Sequence, residues 1–157
     1  MKIGQCKQMK IAILFVGIVA VACNGVTAPN LEIAAQRNDV ASIKKLVGSG
    51  TPVDATDKHG YTALHVAAGE GNDDAVKELL ALGAKVDSRS ELGETPLWDA
   101  ANEGRISTVR LLLEHGATPN PANNEGHSLG DRLRSLDQAG EGKPSYKEIL
   151  GLLGEHH

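Results

Sequence analysis

The chain has 157 residues and a formal net charge of −4, and 41% of its residues are hydrophobic although only 3% are aromatic. This length accommodates one domain, and its core must be built from small and aliphatic side chains, as in closely stacked helices. Lys2, Lys7 and Lys10 precede every acidic residue, so the rest of the chain is more acidic than the whole. Such an acidic body excludes nucleic acid as the expected partner, because binding phosphates needs a basic face.

The first 22 residues have the layout of a secretory signal peptide. Three lysines precede an uncharged apolar run over residues 11–22, which ends in small residues. A membrane span needs about 20 apolar residues, so this shorter run makes a retained anchor helix the less favoured alternative. The sequence therefore predicts a signal peptide over residues 1–22 and export of the remaining chain.

The segment Ala20-Val-Ala-Cys23 resembles the cleavage box of bacterial lipoproteins. In that box the cysteine after the cut is lipidated and becomes the mature amino terminus, although Ala20 stands where the box usually has leucine. The resemblance implies a lipidated Cys23, a short linker over residues 23–28, and a protein in the periplasm or attached to an envelope membrane by this anchor alone. Cleavage around Ala22 or Ala28 without lipidation is the alternative.

From residue 29 onward, a period of 33 residues organises the chain. The segment GYTALHVAAGEG over residues 60–71 returns as GETPLWDAANEG over residues 93–104, and 12 of the 33 aligned positions are identical across the whole period. A fixed period of this length indicates a stacked array in which no unit buries its apolar surface alone.

Each unit is predicted to contain two short helices. In the unit that begins at Gly60, Thr62 is placed to cap the first helix and Gly71 to end it. Ala67 and Ala68 lie on one side of that helix and allow a neighbouring helix to approach closely. Apolar residues at core spacing over positions 76–80 predict the second helix.

The units at the two ends depart from this pattern. The first, over residues 29–59, has Asn38 where the others have a helix-ending glycine, which is tolerable because asparagine adopts the left-handed conformation more readily than most residues. The last unit has Gly130 at the position of a core leucine, and Ile149 lies seven residues beyond its expected place. These departures predict a carboxy-terminal cap over residues 126–157, with its first helix around residues 129–136.

The pattern Gly-x-Thr-Ala/Pro-Leu-His/Trp-x-Ala-Ala-x-x-Gly, with Val-x-x-Leu-Leu in the second helix and Gly-Ala before a turn, resembles the ankyrin repeat. The resemblance covers residues 29–125. It implies an all-α fold over residues 29–157, namely a solenoid of stacked antiparallel helix pairs with projecting loops. The solenoid would comprise three repeats, over residues 29–59, 60–92 and 93–125, and the divergent cap.

No pattern in the sequence indicates catalysis or a cofactor. Phosphate-binding glycine loops, His-Glu-x-x-His and paired-cysteine metal sets are absent from the sequence. His65 stands where ankyrin repeats place a structural histidine that bonds to the nearby threonine and turn. Asp99 and Glu103 are spaced as paired carboxylates, but without a nucleophile or base they are interpreted as part of a solvated surface. We therefore expect neither an enzyme nor a bound cofactor or metal.

The resemblance also implies which residues contact a partner. In ankyrin arrays the loops and first helices line a concave surface that binds other macromolecules, and Tyr61 and Leu92 are expected to be exposed binding anchors on it. For Leu92, packing against the adjacent loop is the alternative. The family's variable contact positions fall on Lys58, His59, Tyr61, Gly69, Glu70, Glu91, Leu92, Glu94, Asn102 and Glu103, and continue through Asn124, Glu125 and His127.

Trp98 occupies the position that His65 holds one repeat earlier and is added to this set. Its indole cannot accept the same local hydrogen bond, because indole only donates. Packing under the neighbouring loop is favoured over lining the groove with the ring face.

Together these features predict a monomeric, non-catalytic module that binds another protein. The acidic residues Glu70, Glu91, Glu94 and Glu103 favour a basic patch on that partner. One version is an inhibitor or immunity protein, and another is an adaptor of an envelope enzyme. The alternative is a passive structural envelope lipoprotein without a dedicated partner.

Overall fold

The structure, a computed structural model, describes residues 30–140 and 142–155. The predicted signal peptide over residues 1–22, the linker over residues 23–28 and the candidate lipidation site Cys23 lie outside the described residues. Within the described part, no helix has the length and apolar character needed to cross a membrane.

The described residues form helix pairs, and one pair falls within each predicted repeat and within the cap. The predicted all-α solenoid is confirmed: these residues contain eight helices and no strand, with only isolated bridges between Thr56 and Thr62 and between Ala122 and Ser128. The helices are α1 (Leu31–Gln36), α2 (Val40–Gly48), α3 (Ala63–Glu70), α4 (Asp73–Ala81), α5 (Pro96–Asn102), α6 (Ile106–Glu114), α7 (Leu129–Gln138) and α8 (Ser145–Glu155).

The helices stack in two rows. The first helices α1, α3, α5 and α7 pack against one another in order, and so do the second helices α2, α4, α6 and α8. Ala67 and Ala68 of α3 and Ala100 and Ala101 of α5 are fully buried. Because these side chains are small, neighbouring first helices approach closely, as the sequence predicted.

Both central first helices begin at a threonine cap. The Thr62 side chain accepts from the backbone N–H of His65, and the His65 ring accepts in return from the backbone N–H of Thr62. Thr95 caps α5 in the same way through the backbone N–H of Trp98, but the returning bond is absent, because an indole has no acceptor. Pro96 opens α5, where its missing N–H costs nothing.

The first repeat keeps its turn through asparagine instead of glycine. Asn38 has a φ of 55°, and it is the only non-glycine residue with positive φ in the described part of the chain. Its side-chain oxygen also accepts from the backbone N–H of Ala75 at 2.9 Å, at the start of the second helix of the next repeat. Asn38 therefore replaces the expected glycine and also joins two repeats.

The cap has the predicted two helices. In its first helix, one core position has a smaller side chain than in α5 and another has a larger one. Gly130 stands where α5 has Leu97, while Leu133 stands where α5 has Ala100; Gly130 and Leu133 are both buried. Arg134 then replaces the second alanine. α7, with Leu133 at the first alanine position, packs less extensively on α5 than α5 does on α3. The exposed Arg134 side chain pairs with Asp131 of the same helix.

The loop glycines permit close stacking of successive loops. Gly60 has a φ of +79°, and a Cβ there would lie 2.9 Å from the backbone nitrogen of Glu91 in the next loop. Gly126 holds the same position in the last loop with a φ of +83°, but a Cβ there would meet nothing within 4 Å. The two glycines thus share a backbone conformation, but only Gly60 is packed against a following loop.

We expect Gly60→Ala to lower the free energy of unfolding more than Gly126→Ala does. Both substitutions strain a left-handed backbone, by about 1–2 kcal/mol, but only the first also pushes into a neighbouring backbone, which adds roughly 1–3 kcal/mol. Urea unfolding of both variants measures the difference. Equal losses would show that loop stacking does not depend on the missing side chain at Gly60.

Candidate functional site

The candidate site is the surface formed by the first helices and the loops that precede them, called here the loop face. It contains two grooves. The middle groove, of about 340 Å³, is lined by Tyr61, His65, Val66, Gly69, Glu70, Asp99, Asn102, Glu103 and Arg105. The cap groove, of about 440 Å³, is lined by Glu91, Leu92, Glu94, Trp98, Asn102, Asn123, Asn124, Glu125, His127, Asp131, Arg132 and Ser135.

Backbone hydrogen bonds between successive loops fix the loop face. The backbone N–H of Glu91 donates to the carbonyl oxygen of His59 at 2.9 Å, and the backbone N–H of Asn124 donates to that of Leu92 at 2.9 Å. The Asn124 side chain adds a bond to the carbonyl oxygen of Glu91 at 2.8 Å. The three loops are therefore held in register mainly by their main chains, and the Asn124 side chain reinforces this arrangement.

His65 is a structural residue, as its position predicted. Its Nδ1 accepts from the backbone N–H of Thr62 at 3.1 Å, and its Nε2 lies 3.2 Å from the carbonyl oxygen of Glu94. Burial lowers the pKa of His65 below its ordinary value, so the neutral ring is favoured, with Nε2–H donating to Glu94. The ring thus joins the cap of α3 to the following loop.

Tyr61 is not the exposed loop anchor that the sequence predicted. Its ring is half-buried and lies edge-on to His65, with ring centroids 5.4 Å apart, and its hydroxyl donates to Glu94 Oε2 at 2.9 Å. Burial, followed by the hydrogen bond to Glu94, raises the pKa of Tyr61 to about 12. The phenol therefore stays protonated and connects the second repeat to the third.

Leu92 and Trp98 differ sharply in exposure. Leu92 is 58% exposed, so the alternative in which it packs against the adjacent loop is wrong. Trp98 is 4% exposed, and the favoured packing of this residue is confirmed. Because Trp98 nevertheless lines the cap groove, an exposed leucine and a buried indole border the same cavity.

Asp99 contradicts its interpretation as a solvated residue. Its side chain is half-buried, and its Oδ2 is inaccessible and has no hydrogen-bond partner among the described residues. Burial, with further contributions from Glu94 and Glu103, raises the pKa of Asp99 to about 8. The amino-terminal turn of α5 favours a carboxylate there by only about 0.3–1 kcal/mol, which is too little to offset these effects.

Residues of the cap bond to Asn102 and Glu103, which line the middle groove. Lys143 pairs with Glu103 at 2.8 Å and lowers the pKa of that carboxyl below its ordinary value. The Tyr146 hydroxyl donates to the carbonyl oxygen of Asn102 at 2.7 Å. Arg105 crosses to the opposite wall and donates to the carbonyl oxygen of Gly69 at 3.0 Å. Glu103 is thus already neutralised within the protein.

The grooves bring together most, but not all, of the predicted contact residues. Lys58 and His59 are exposed on the preceding loop and line neither groove. The predicted contact residues do not include Arg105, Asn123, Asp131, Arg132 and Ser135, which also line the grooves. Asp131 and Ser135 lie one 33-residue period after Trp98 and Asn102, so extending the contact positions into the divergent cap helix would have found them.

No group of three or more histidine, cysteine, aspartate or glutamate side chains is arranged to hold a metal ion in the described residues. The side chains of the loop face instead offer carboxylates, amides and apolar surface. This chemistry suits recognition of another macromolecule.

We expect Asp99→Val to stabilise the protein at high pH, by on the order of 1–3 kcal/mol. Val66 is the equivalent residue one repeat earlier, so valine suits this helix position. Because the folded pKa of about 8 exceeds the ordinary 3.8, the unfolded chain loses its proton first. The stabilising contribution of the neutral carboxyl is complete at low pH and is lost as the pH rises through the folded pKa.

Thermal unfolding at about pH 4 and about pH 9 measures this effect, and the gain should appear mainly at the higher pH. Asp74→Val is the matched control, since Asp74 is an exposed aspartate in the first turn of α4. An equal gain at both pH values would show that folding does not raise the pKa of Asp99.

Comparison with known proteins agrees with this architecture. A family model described as ankyrin repeats matches residues 31–123 in three copies. No curated protein gives a significant match to the chain. Ankyrin repeats in general mediate binding to other proteins and do not catalyse reactions. The matched region covers more than half of the sequence and coincides with the first three helix pairs, so the chain belongs to the ankyrin-repeat family.

Proposed function

We propose that the protein is an exported, lipid-anchored component of the bacterial envelope that binds one partner protein through its loop face. Recognition, without catalysis, is its mechanism. It acts on an envelope enzyme or toxin, either as an inhibitor that occludes it or as an adaptor that holds it in place. Nucleic acid is excluded by the acidic character of the chain, and the protein acts as a monomer.

The proposal rests on one observation: the loops that are joined by backbone hydrogen bonds present both carboxylates and an exposed leucine. Glu91 and Glu70 are exposed, Glu94 is half-buried, and Leu92 is 58% exposed. An apolar anchor surrounded by charge is the usual composition of a specific protein interface. The carboxylates favour a partner with a basic patch and accelerate its association more than they tighten the complex.

The proposed location is supported by the sequence alone. The lysine-rich start, the apolar run over residues 11–22 and Cys23 after small residues have the order of a lipoprotein signal. Anchoring at Cys23 would place the helix pairs about seven residues from the membrane surface, within reach of a membrane-attached enzyme.

We expect Glu91→Lys to abolish capture of the partner in chemical crosslinking from envelope extracts at native abundance. The change reverses a charge on the loop face, and the Glu91 side chain takes no part in the loop-to-loop bonds, which use its backbone. Glu114→Lys is the matched control, because Glu114 is an exposed acid on α6 outside both grooves.

Mass spectrometry of the crosslinked species identifies the partner. One protein lost in Glu91→Lys and kept in Glu114→Lys supports recognition through the loop face. If no protein is captured at native abundance, the passive structural alternative is favoured instead.

We expect Cys23→Ser to eliminate incorporation of radiolabelled fatty acid into the protein and to release it from the membrane fraction. Serine has no thiol to acylate, so the anchor cannot form. Labelling that persists in the variant would contradict the lipid-anchor proposal. The helix pairs should unfold at the same temperature in both forms, since Cys23 lies before the first helix.

A further inference from the structure

The cap groove differs from the rest of the stack because the cap helix stands apart from its neighbour. In α3 and α5 the two adjacent small residues are alanines, whereas α7 has Leu133 and Arg134 at those positions. α7 packs less extensively on α5 than α5 packs on α3. The space left between them is the larger of the two grooves, about 440 Å³.

One edge of the cap groove presents an apolar side chain on a rigid support. Leu92 is the only large hydrophobic residue exposed in the described part of the chain. Its carbonyl oxygen accepts from Asn124, and the preceding residue Glu91 bonds through its backbone to both His59 and Asn124. Since the loop is already ordered, a ligand that contacts Leu92 need not spend binding energy on ordering it.

The base of the cap groove contains Trp98, the only tryptophan of the chain. In the preceding repeat, His65 occupies this position and bonds across to the next loop. Trp98 makes no equivalent side-chain bond among the described residues. The substitution therefore exchanges a bond within the stack for an indole that is 4% exposed and forms part of the groove's wall.

The charge around this apolar surface is predominantly negative. Glu91, Glu94, Glu125 and Asp131 line the groove, against Arg132 and His127. His127 already lies 3.4 Å from Glu125. Asp131 already pairs with Arg134 at 3.1 Å, and Glu94 already accepts from the Tyr61 hydroxyl. Cationic groups at the rim would therefore meet Glu91 and Glu125, whereas an anionic ligand would meet repulsion.

We propose that the cap groove binds an exposed protein segment in which one apolar side chain is flanked by lysine or arginine. The apolar side chain packs on Leu92, beside the wall that contains Trp98, and the flanking cations lie against Glu91 and Glu125. This inference rests on the proposed function, and it assigns partner recognition to one part of the loop face.

The test uses the full-length protein and fluorescence of Trp98, which reports on the groove without a label. The probe is a blocked peptide with phenylalanine between two arginines. One control peptide has two glutamates in place of the arginines, and another has glycine in place of phenylalanine. We expect the first peptide to bind at least about tenfold more tightly than either control, and its binding to weaken as salt is raised.

Protein variants locate the binding. Leu92→Ser should weaken binding of the first peptide about fivefold or more through loss of apolar contact, and Glu91→Lys should weaken it while Glu114→Lys does not. Circular dichroism melting of each variant verifies folding. Equal affinity for the arginine and glutamate peptides, or no change in Trp98 fluorescence with any peptide, would overturn the proposal.

The outcome is separable from that of the proposed function. If the peptides fail but crosslinked partner is still lost in Glu91→Lys, the proposed ligand chemistry of the cap groove is wrong and the proposed function stands. If the arginine peptide binds as expected but no partner is captured from the envelope, the groove assignment stands and the proposed function is wrong.

Discussion

The distance between neighbouring first helices is the constraint on which the rest of the structure depends. Buried pairs of alanines in α3 and α5 allow these helices to approach closely, and this spacing brings successive loops within backbone hydrogen-bonding distance. The loop face exists because those bonds hold the loops in register. At the cap, where Leu133 replaces an alanine, α7 packs less extensively on α5, and the cap groove lies beside this contact. The residues that build the stack therefore also decide where it is open.

The fold was predictable because its determinants are local and recur. Thr62 and His65 cap a helix within four residues, and Asn38 supplies a left-handed turn at one position, so each can be recognised without knowing what lies beside it. Much of the candidate site was not predictable for the opposite reason. Tyr61 is half-buried because Glu94, in the next repeat, accepts its hydrogen bond, and Asp99 is buried by groups from neighbouring segments. The 33-residue period identifies equivalent positions, but it does not give the surroundings of a residue that differs between copies.

Trp98 and Asp99 lie next to each other at positions where the third repeat departs from the second. An indole replaces a histidine that joined two loops, and a carboxyl replaces the valine at position 66. Both exchanges remove interactions that would support the stack, since one omits a bond and the other buries an unpaired acidic oxygen. Departures from local consistency of this kind are typical of surfaces shaped by recognition. The two grooves meet at this point, with Asn102 lining both.

The contact between Gly60 and the following loop has a consequence for the length of the array. A glycine of the same conformation recurs at Gly93, where a side chain would meet Asn124. The surfaces through which the second and third repeats stack are thus built from equivalent residues. An additional 33-residue copy inserted between them would find a matching neighbour on each side. The cap helix offers no such surface, because Arg134 stands where a further repeat would need alanine. Duplication within the gene can therefore lengthen the recognition surface from the middle while both ends of the protein remain unchanged.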